Sequence, residues 1–476
     1  MSATLVLAID QGTHASRALV FDPAGRLLAS ATREIGLTKH DPDTIEQDGE
    51  EIVASVASAV ADALAALGPR KAEVACAGLA IQRSSSVCWD RHTGAALSPV
   101  ISWQDRRTHA WLRQFDAHGE TVHRKTGLFL SPHYGASKLR WCLEHLPRVR
   151  QAHAEGRLCW GPLASYVVFR LLRERPLLVD PQCASRTQLW NVETRDWDPD
   201  LIALFGVPAE VLPRSVPTCH PFGTVSAAGV TFPLTAVNGD QSAAVFAFGW
   251  PAADAAYINI GTGAFVQRTL DRYPGYVPRQ LTGIVLDDGT RTLYMLEGNV
   301  NGAGAALQWL AGELHVDDVV PLLPAWMERP GAPPIFLNGI AGLGGPFWQP
   351  HFASRFLGEG EPWQRAVAVV ESIAFLLYAN LEEMAKFVPP PSRILITGGV
   401  SRLDALCKRL ASVSGLPVLR RQDPEGTARG IAYLAAGRPA GWNTAGQADP
   451  FPPEEDPALH ERYRRMRVEL KRLTGT

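Results

Sequence analysis

The segment Asp10-Gln11-Gly12-Thr13 combines residue types that can bind phosphate groups, and it joins two apolar strands through a tight turn. Gly12 can adopt backbone angles that other residues avoid, and such turns can direct N–H groups toward an anion. The Thr13 hydroxyl adds a donor, and Asp10 supplies a carboxylate where a hydrated Mg²⁺ would accompany the phosphates. An ordinary hairpin with a polar turn explains the same residues, so the segment alone leaves both interpretations open.

Two further glycine turns follow in the second half of the chain. Gly261-Thr262-Gly263 repeats the first turn between two apolar strands, and Gly398-Gly399 follows a short strand and opens a helix. A helix N-terminus beside a glycine backbone favours a bound phosphate. The chain has no GxxxxGK(S/T) loop and no GxGxxG that opens a helix after a strand. Three such turns in this order predict a nucleotide site built from opposed hairpins.

Asp240 and Gln241 lie directly after a predicted strand and before a helix of small residues. Phosphoryl transfer needs little covalent help from a protein, but the attacking hydroxyl must be oriented and must lose its proton. A carboxylate within hydrogen-bond reach can accept that proton. Asp240 is therefore a candidate general base. An Asp in this position can also serve as a helix N-cap, which is the structural alternative.

The elements that must position these residues are predicted from hydrophobic periodicity. Strands are expected at residues 5–10, 17–21, 26–31 and 74–79, and Asp48 is expected to cap a helix through residue 67. A strand, a Gly-Thr turn and a second strand recur about 250 residues later, at 255–270. This repetition predicts two related domains that face one another, with a boundary within residues 242–254.

The second half alternates strands and helices. Helices are expected at residues 301–314, 362–387 and 402–412, and a buried strand at 393–397. Residues 437–457 are rich in proline, glycine and acids, which favours a linker. Asp456-Pro457 then predicts the start of a last helix. Its apolar face is Leu459, Tyr463, Met466, Leu470 and Leu473, and its basic face is Arg464, Arg465, Lys471 and Arg472. A docked helix is the preferred interpretation, and membrane or partner binding is the alternative.

Composition disfavours several classes of protein, although charge alone does not exclude a nucleic-acid-binding protein. The formal net charge of -2 over 476 residues gives no global attraction to nucleic acid or to an anionic membrane. The 7 cysteines are scattered and form no CxxC pair, so neither a disulfide framework nor a zinc site is expected. No apolar run approaches the ~20 residues that span a bilayer, and no secretory leader is recognisable. We therefore expect a cytoplasmic protein with a small-molecule substrate, and a homo-oligomer is allowed.

Taken together, these segments resemble the FGGY family of carbohydrate kinases, within the actin and hexokinase superfamily. The resemblance extends in order from residue 5 to about 441 and includes the segments LAIDQGTHASRALVFD, SWQDRRT, GDQSAAVFA, NIGTGAF, LEGNVNGAGAALQWL, ITGGVSR and PEGTARGIAYLAAG. It implies an α/β fold with two ribonuclease-H-like domains and a cleft between them. The expected ranges are 1–243 for the N-terminal domain, 244–441 for the C-terminal domain, and 442–476 for a linker and a terminal helix.

The resemblance also implies roles for individual residues. Asp240 falls on the family's catalytic base, Gln241 on its substrate-binding neighbour and Asp10 on the acid linked to Mg²⁺. The positions that match nucleotide contacts are Thr13, Arg17, Gly261, Thr262, Gly304, Gln308 and Gly399. With Gly12, His14 and Gly398 from the turns themselves, they form the predicted ATP site. His14 and Leu403 stand where the family more often carries a hydroxyl residue and an Asn.

The predicted substrate pocket departs from the family pattern most. Arg83 and Trp103 match glycerol-phosphorylating members, but Ser84 stands where an acid normally follows the arginine. His133 stands in place of a pocket tyrosine, and the adjacent Tyr134 is the alternative if the match slips by one residue. Asn301 replaces an apolar phenylalanine. A lost carboxylate removes a strong acceptor for hydroxyls. These changes predict a larger or more hydroxylated substrate than glycerol. In the structural alternative, Arg83 pairs with an acid of its own domain and Trp103 belongs to the core.

Three functions compete at this point. An ATP-dependent kinase acting on a polyol or sugar is the preferred hypothesis. Glycerol phosphorylation is the alternative within the same class of enzyme. A nucleotide- or sugar-binding regulator with little turnover is the alternative from another class, although a pure binder would not need Asp240.

Overall fold

The structure, a computed structural model, describes residues 4–421, 425–444 and 448–475. Pro424, the first residue of the PEGTARG segment, and residues 445–447 of the predicted linker lie outside the described residues.

The strands in chain order are β1 (Leu5–Gln11), β2 (Ala15–Phe21), β3 (Leu27–Glu34), β4 (Thr38–Lys39), β5 (Ile45–Gln47), β6 (Val74–Ile81), β7 (Ser86–Asp90), β8 (Val100–Ile101), β9 (Leu158–Pro162), β10 (Leu178–Val179), β11 (Trp190–Asn191), β12 (Asp196–Trp197), β13 (Arg214–Ser215), β14 (Cys219–Ala227), β15 (Val230–Gly239), β16 (Ala255–Ile260), β17 (Ala264–Leu270), β18 (Leu281–Asp287), β19 (Thr292–Val300), β20 (Ile335–Leu337), β21 (Arg355–Leu357), β22 (Arg393–Thr397), β23 (Val418–Arg421) and β24 (Ala448–Phe451).

The α-helices are α1 (Gly49–Ala66), α2 (His109–Leu112), α3 (Gly119–Thr126), α4 (Gly135–His145), α5 (Pro147–Ala154), α6 (Leu163–Leu171), α7 (Pro181–Ser185), α8 (Pro199–Phe205), α9 (Asp240–Val245), α10 (Gly304–Glu313), α11 (Leu323–Met327), α12 (Pro362–Met384), α13 (Asp404–Ser414), α14 (Gly426–Ala435) and α15 (Pro457–Thr474).

Two sheets of the same core topology form the framework. In the first, β3, β2 and β1 form an antiparallel meander, β6 and β15 follow as parallel strands, and β14 pairs antiparallel at the edge. In the second, β19, β17 and β16 form the meander, and β22 and β23 are the parallel strands. Each of the two predicted phosphate turns joins the first two strands of its sheet. The predicted duplication is therefore confirmed.

Local sequence signals account for the main helices. The Asp48 side chain accepts hydrogen bonds from the N–H groups of Glu50 and Glu51, which confirms the predicted cap of α1. Helix α12 begins with a capping box between Glu361 and Gln364 and ends at Met384, close to the predicted bounds. Strand β22 has the predicted bounds.

A smaller sheet extends the first half of the chain. Its strand order is β4-β5-β8-β7-β9, and helices α2 to α5 lie in the chain between β8 and β9. The loops that carry Arg83, Trp103 and His133 begin or end at elements of this region. They are therefore held by its packing, which includes the buried residues Trp160, Ile101 and Leu139.

Helix α14 belongs to the second half of the chain, yet it packs on β1 and β6 of the first sheet and on α9. The buried cluster around it joins side chains of both sheets, including Ala8 and Phe21 with Tyr257 and Leu395. The two halves of the chain therefore share one buried core around α14, which a division of the chain into two residue ranges does not describe. The predicted domain ranges 1–243 and 244–441 stay a prediction.

The segment predicted as a linker contains a strand, which corrects that expectation. Strand β24 pairs antiparallel with β23 at the edge of the second sheet, with Leu419 opposite Pro450. Only one side of an edge strand pairs, so proline is tolerated there. Arg420 adds ion pairs to Asp449 at 2.8 Å and to Asp404 at 2.6 Å.

The last helix is docked, as predicted. Asp456 caps α15 by accepting from the N–H of Leu459, and Leu459, Tyr463, Met466 and Leu470 are buried. No helix in the described ranges combines the length and apolar character that crossing a membrane requires. All seven cysteines lie in the described ranges and none is paired.

Candidate active site

Asp240 is the first residue of α9, at the end of β15. The N-cap is Gly239, so Asp240 is not the cap that the structural alternative required. Its Oδ1 accepts a hydrogen bond from the N–H of Gln241 at 2.8 Å and lies 3.7 Å from Nε of Arg83. Burial raises the pKa of the Asp240 carboxyl, and the positive charge of Arg83 opposes that shift. About a quarter of this side chain stays exposed (24%), so an acceptor hydroxyl can reach it.

Asp10 lies near the end of β1, and Asp240 lies close enough to influence it. Burial raises the pKa of Asp10, Arg17 opposes the shift, and the negative charge of Asp240 adds to it. Arg17 binds Asp10 at 2.5 Å and Glu425, just before α14, at 2.6 Å. A chain of ion pairs thus links Asp10, the carboxylate predicted to bind Mg²⁺, to the start of helix α14 in the second half.

The turn at Asp10–Thr13 does not present the N–H of Gly12 as the sequence predicts. Gly12 does not have a positive φ, and its N–H donates to the carbonyl of Ala15 at 2.9 Å, so this N–H is not presented to an anion. Within the described ranges, the N–H groups of Thr13 and His14 make no hydrogen bond and remain available. Indole Nε1 of Trp103 donates to the Thr13 hydroxyl at 3.0 Å. The predicted phosphate turn and the predicted substrate loop are therefore in direct contact.

The second turn lies against α10. The N–H of Gly261 donates to Gly263, and the N–H groups of Gly304 and Ala305 donate to the carbonyls of Gly261 and Thr262. A Cβ on Gly304 would lie 2.6 Å from the Gly261 carbonyl oxygen, so only glycine permits this approach. The helix begins at Gly304, three residues after its predicted start. Gln308 is exposed on its second turn.

The third turn is adjacent to the second. Gly398 has φ +94°, and a Cβ there would lie 2.4 Å from the carbonyl oxygen of Ile260, at the end of β16. Gly399 begins a short 3-10 helix, Gly399–Arg402, that precedes α13. Leu403 is buried in the core of this half, so it presents no polar group to the cleft. Gly261, Gly398 and Gly304 are thereby brought together around one strand end.

The predicted substrate residues of the first half converge. The rings of Trp103 and His133 are 5.7 Å apart at an edge, and Lys138 donates to the carbonyls of Ser84, Ser102 and His133 at 2.9, 2.9 and 2.8 Å. One buried ammonium thus holds the three loops together. Ser84 has φ 65° and is buried, and its hydroxyl has no partner within the described ranges.

Arg83 pairs with Asp240 of its own half at 3.7 Å, and it also pairs with an acid of the second half. Its Nη1 donates to Oε2 of Glu297 on β19 at 2.8 Å, and Arg186 binds the other oxygen of Glu297 at 2.9 Å. Burial alone would raise the pKa of Glu297, but Arg186 and Arg83 outweigh it and lower that pKa to about 2. Glu297 therefore carries a charge that both arginines share.

The Asn301 side chain makes hydrogen bonds to residues of the second half. Its side chain accepts from Asn299 and donates to the carbonyl of Ala341, and its main chain approaches Gly263. The aromatic ring beside the site is Phe265, 4.9 Å from the guanidinium carbon of Arg83. Phe265 follows the Gly261–Gly263 turn directly, so the sequence could have indicated it.

Glu297, Arg186 and Lys138 were also missed by sequence reasoning. Glu297 is a lone acid in the apolar run TLYMLEGNV of β19, and an acid in such a strand is rarely buried without a partner. Nothing in the sequence near Arg186 or Lys138 indicates which groups they meet, because those groups lie on other elements.

The carboxylates of Asp10 and Asp240 fit a magnesium ion of the kind that accompanies nucleotides. Mg²⁺ takes oxygen ligands, keeps several waters and is commonly bound through one or two carboxylates and substrate phosphates. Within the described ranges, no group of three or more His, Cys, Asp or Glu side chains could hold a metal.

The two sheets of shared core topology, each with a Gly-Thr turn between its first two strands, form an actin/hexokinase-like fold with two sheet-rich domains. The Plasmodium falciparum glycerol kinase structure with ADP superposes with a TM-score of 0.89 at 22% identity, covering 99% of this chain and 98% of that chain. Two bacterial proteins named glycerol kinase are similar in sequence. The protein of Trichlorobacter lovleyi is 36% identical over 445 residues (91% of this chain, 89% of the relative), and that of Alkalilimnicola ehrlichii 37% over 456 (92% and 91%).

Models of the FGGY family of carbohydrate kinases match both halves, the N-terminal domain over residues 5–247 and the C-terminal domain over residues 256–437. The chain belongs to the FGGY family of carbohydrate kinases.

Proposed function

We propose that this chain transfers the γ-phosphoryl group of ATP to a hydroxyl of a small polyol or sugar, with Asp240 as general base. The observation that carries the proposal is the partly exposed Asp240 carboxylate, which lies 3.7 Å from Arg83 and close enough to Asp10 to act on its charge. The partly exposed Asp240 carboxylate can take a proton from an acceptor that lies between Trp103 and Arg83.

The reaction forms a bond between the acceptor oxygen and the γ-phosphorus. The bond from the γ-phosphorus to the bridging oxygen breaks, ADP leaves with the electron pair, and the hydroxyl proton passes to Asp240. The free N–H groups of Thr13 and His14, the Thr13 hydroxyl and the Gly261–Gly263 turn are the groups proposed to meet the phosphates. Asp10 would hold Mg²⁺ through water, and the ion would neutralise phosphate charge.

Glycerol is the second candidate acceptor, because the two sequence relatives described above carry the name glycerol kinase. The neutral residue Ser84 beside Arg83 is the feature that favours a different acceptor. A cytoplasmic location and a homo-oligomeric state stay predictions from the sequence.

The test is ADP release from ATP and Mg²⁺ with a panel of glycerol, longer polyols and ketoses. We expect Asp240→Asn to lower kcat by about 10²–10⁴-fold, the usual contribution of a general base, while ATP binding measured by calorimetry persists. Asp254→Asn is the matched control, because Asp254 is exposed and pairs with Ser392 and Arg393 away from the cleft. Full turnover in Asp240→Asn, or none in the wild type, would contradict the proposal and favour a binding protein.

A further inference from the structure

Four cationic side chains surround His133 in the candidate substrate site: Arg83, Arg106, Lys138 and Arg186. Arg83, Lys138 and Arg186 are buried residues, and Arg106 is half-buried. Burial lowers the pKa of His133 well below its usual value, and the charges of Arg106, Lys138, Arg186 and Arg83 lower it further. The imidazole is therefore neutral, and the positive field comes from its neighbours.

Fewer negative than positive charges lie near these four cationic side chains. Glu297 is shared by Arg83 and Arg186, and Asp240 lies 3.7 Å from Arg83. Arg106 forms no ion pair within the described ranges and donates to the carbonyls of Trp103 and Asp105 at 3.1 and 3.2 Å.

Asp105 supplies only part of the missing negative charge. Its carboxylate binds Arg107 at 2.8 Å and accepts from the N–H of Ile45 at 2.7 Å. Arg107 also binds Glu46 at 2.7 Å, so two acids share one cation and one negative charge is left to offset the cations of the site. The four cations Arg83, Arg106, Lys138 and Arg186 therefore face three negative charges, and one positive charge remains in excess.

Two polar groups of Ser84 and Arg186 have no partner within the described ranges. The hydroxyl of Ser84 and Nε of Arg186 are buried and make no hydrogen bond anywhere in the described ranges. Buried donors without acceptors are costly, which favours a ligand that accepts from them. Lys138 binds the backbone carbonyls of both Ser84 and His133, which holds the two residues beside one another.

We propose that the acceptor is a sugar acid, a short polyhydroxy chain with a carboxylate at one end. This inference rests on the proposed kinase function. The carboxylate lies on the side of Ser84, Arg186 and Arg106, and a hydroxyl of the chain meets Asp240. Hydrogen bonds between arginine and carboxylate are shorter and stronger than those to a neutral hydroxyl. A neutral polyol would leave the excess positive charge without a counter-ion.

The test compares acceptors of equal carbon number that differ in the carboxylate: glycerol with glycerate, erythritol with erythronate, xylitol with xylonate, and sorbitol with gluconate. ADP release gives kcat/KM for each. We expect the acid to exceed its polyol by about 10–100-fold for at least one chain length, as a charge-assisted hydrogen bond provides. A polyol that equals or exceeds its acid at every length overturns this inference and leaves the kinase intact.

Ser84→Glu and Ser84→Ala separate charge from loss of the hydroxyl. The glutamate adds a carboxylate beside Arg83 and should lower kcat/KM for the acid by about 10-fold or more, with a smaller loss or a gain for the polyol. Ser84→Ala adds no charge and should keep the preference for acids. An unchanged preference in Ser84→Glu, with an unfolding midpoint like that of the wild type, overturns the inference. No turnover with any acceptor overturns the kinase proposal and this inference with it.

Discussion

Glu297 is the residue that holds the two arginines of the site in place. It is fully buried and its two oxygens are divided between Arg83 and Arg186, while Gln267 donates to the same carboxylate at 2.8 Å. Such a network keeps Arg83 at a fixed distance from Asp240. It also makes the stability of the fold depend on the charge of one carboxylate.

We expect Glu297→Gln to destabilise the protein at pH 7 by about 3–5 kcal/mol, because two buried cations lose their counter-ion. The pKa of Glu297 is lowered from 4.5 to about 2 on folding. Its stabilising contribution is therefore present above pH 4.5 and is lost as pH falls toward 2. Urea unfolding of both proteins at pH 7 and at pH 3 measures this, and the difference should shrink at the lower pH. A difference that is equal at both pH values would contradict the electrostatic explanation.

At this scale the sequence predicts residue types better than partners. Asp240, Arg83 and Trp103 could be named because they lie in recognisable segments. The pairing of Arg83 with Glu297 could not, because 214 positions separate them and they lie on different sheets.

At the scale of elements, the position of α10 depends on a glycine at its first residue. Its first residue, Gly304, approaches the Gly261 carbonyl so closely that a Cβ would lie 2.6 Å away. Gly312, in the last turn of the same helix, has no neighbouring atom within 4 Å of its ideal Cβ. Gly304 is therefore the position to test, and Gly312 is the control in the same helix.

We expect Gly304→Ala to push α10 away from the Gly261–Gly263 turn and to raise KM for ATP by about 10-fold, as overpacking that costs 1–3 kcal/mol would do. KM for the acceptor should change less. Gly312→Ala should leave both KM values unchanged and stabilise the helix by about 0.5–1 kcal/mol. Steady-state kinetics and urea unfolding measure the two effects. An unchanged KM for ATP in Gly304→Ala would remove this turn from the proposed nucleotide site.

Lys138 acts between elements, because its ammonium binds the carbonyls of three separate loops. Burial lowers its pKa well below the usual value, and Asp105 opposes that shift. A neutral amine would donate one hydrogen bond fewer, so the three loops are held most firmly when the lysine is charged. The helix α4 that carries it thus contributes to the substrate site without touching the substrate.

We expect Lys138→Met to raise KM for the acceptor by about 10-fold or more, since hydrogen bonds to charged groups contribute 1.5–3 kcal/mol each. KM for ATP should change less, because the second-half turns are untouched. Lys71→Met is the control, as Lys71 donates to the single carbonyl of Ala228 at 2.7 Å, far from the site in sequence. A loss of stability with both KM values unchanged would limit Lys138 to a purely structural role.

Element bounds were predictable where caps and periodicity were strong, as for α1, α12 and β22. Strand β24 was not, because Pro450 and the acids around it are typical of a linker and are tolerated only at a sheet edge. The partner of α14 was not predictable either. Its apolar residues indicate burial, but they do not indicate that the first sheet, far away in sequence, receives them.

At the scale of the whole molecule, the shared core around α14 makes the two halves depend on one another. Trp442 is fully buried there, with its ring 5.8 Å from Phe21 of the first sheet and 6.1 Å from Tyr433 of α14. Further contacts cross between the halves: the N–H of Thr282 donates to Gly127, and Asn238 donates to the carbonyl of Val285. Chains with two domains often unfold in separate steps, whereas these contacts favour a single step.

We therefore expect Trp442→Ala to destabilise both sheets together, by about 3–5 kcal/mol for the loss of a large buried aromatic side chain. Hydrogen exchange in increasing urea, followed by mass spectrometry, would report peptides of β1 and β6 beside peptides of β16 and β22. The midpoints of all four should shift by the same amount, because the cluster that loses Trp442 contacts both sheets. Trp326→Ala is the control, since Trp326 is half-buried against the core of the second half alone. A shift confined to the peptides of one sheet would show that α14 joins the halves without coupling their stability.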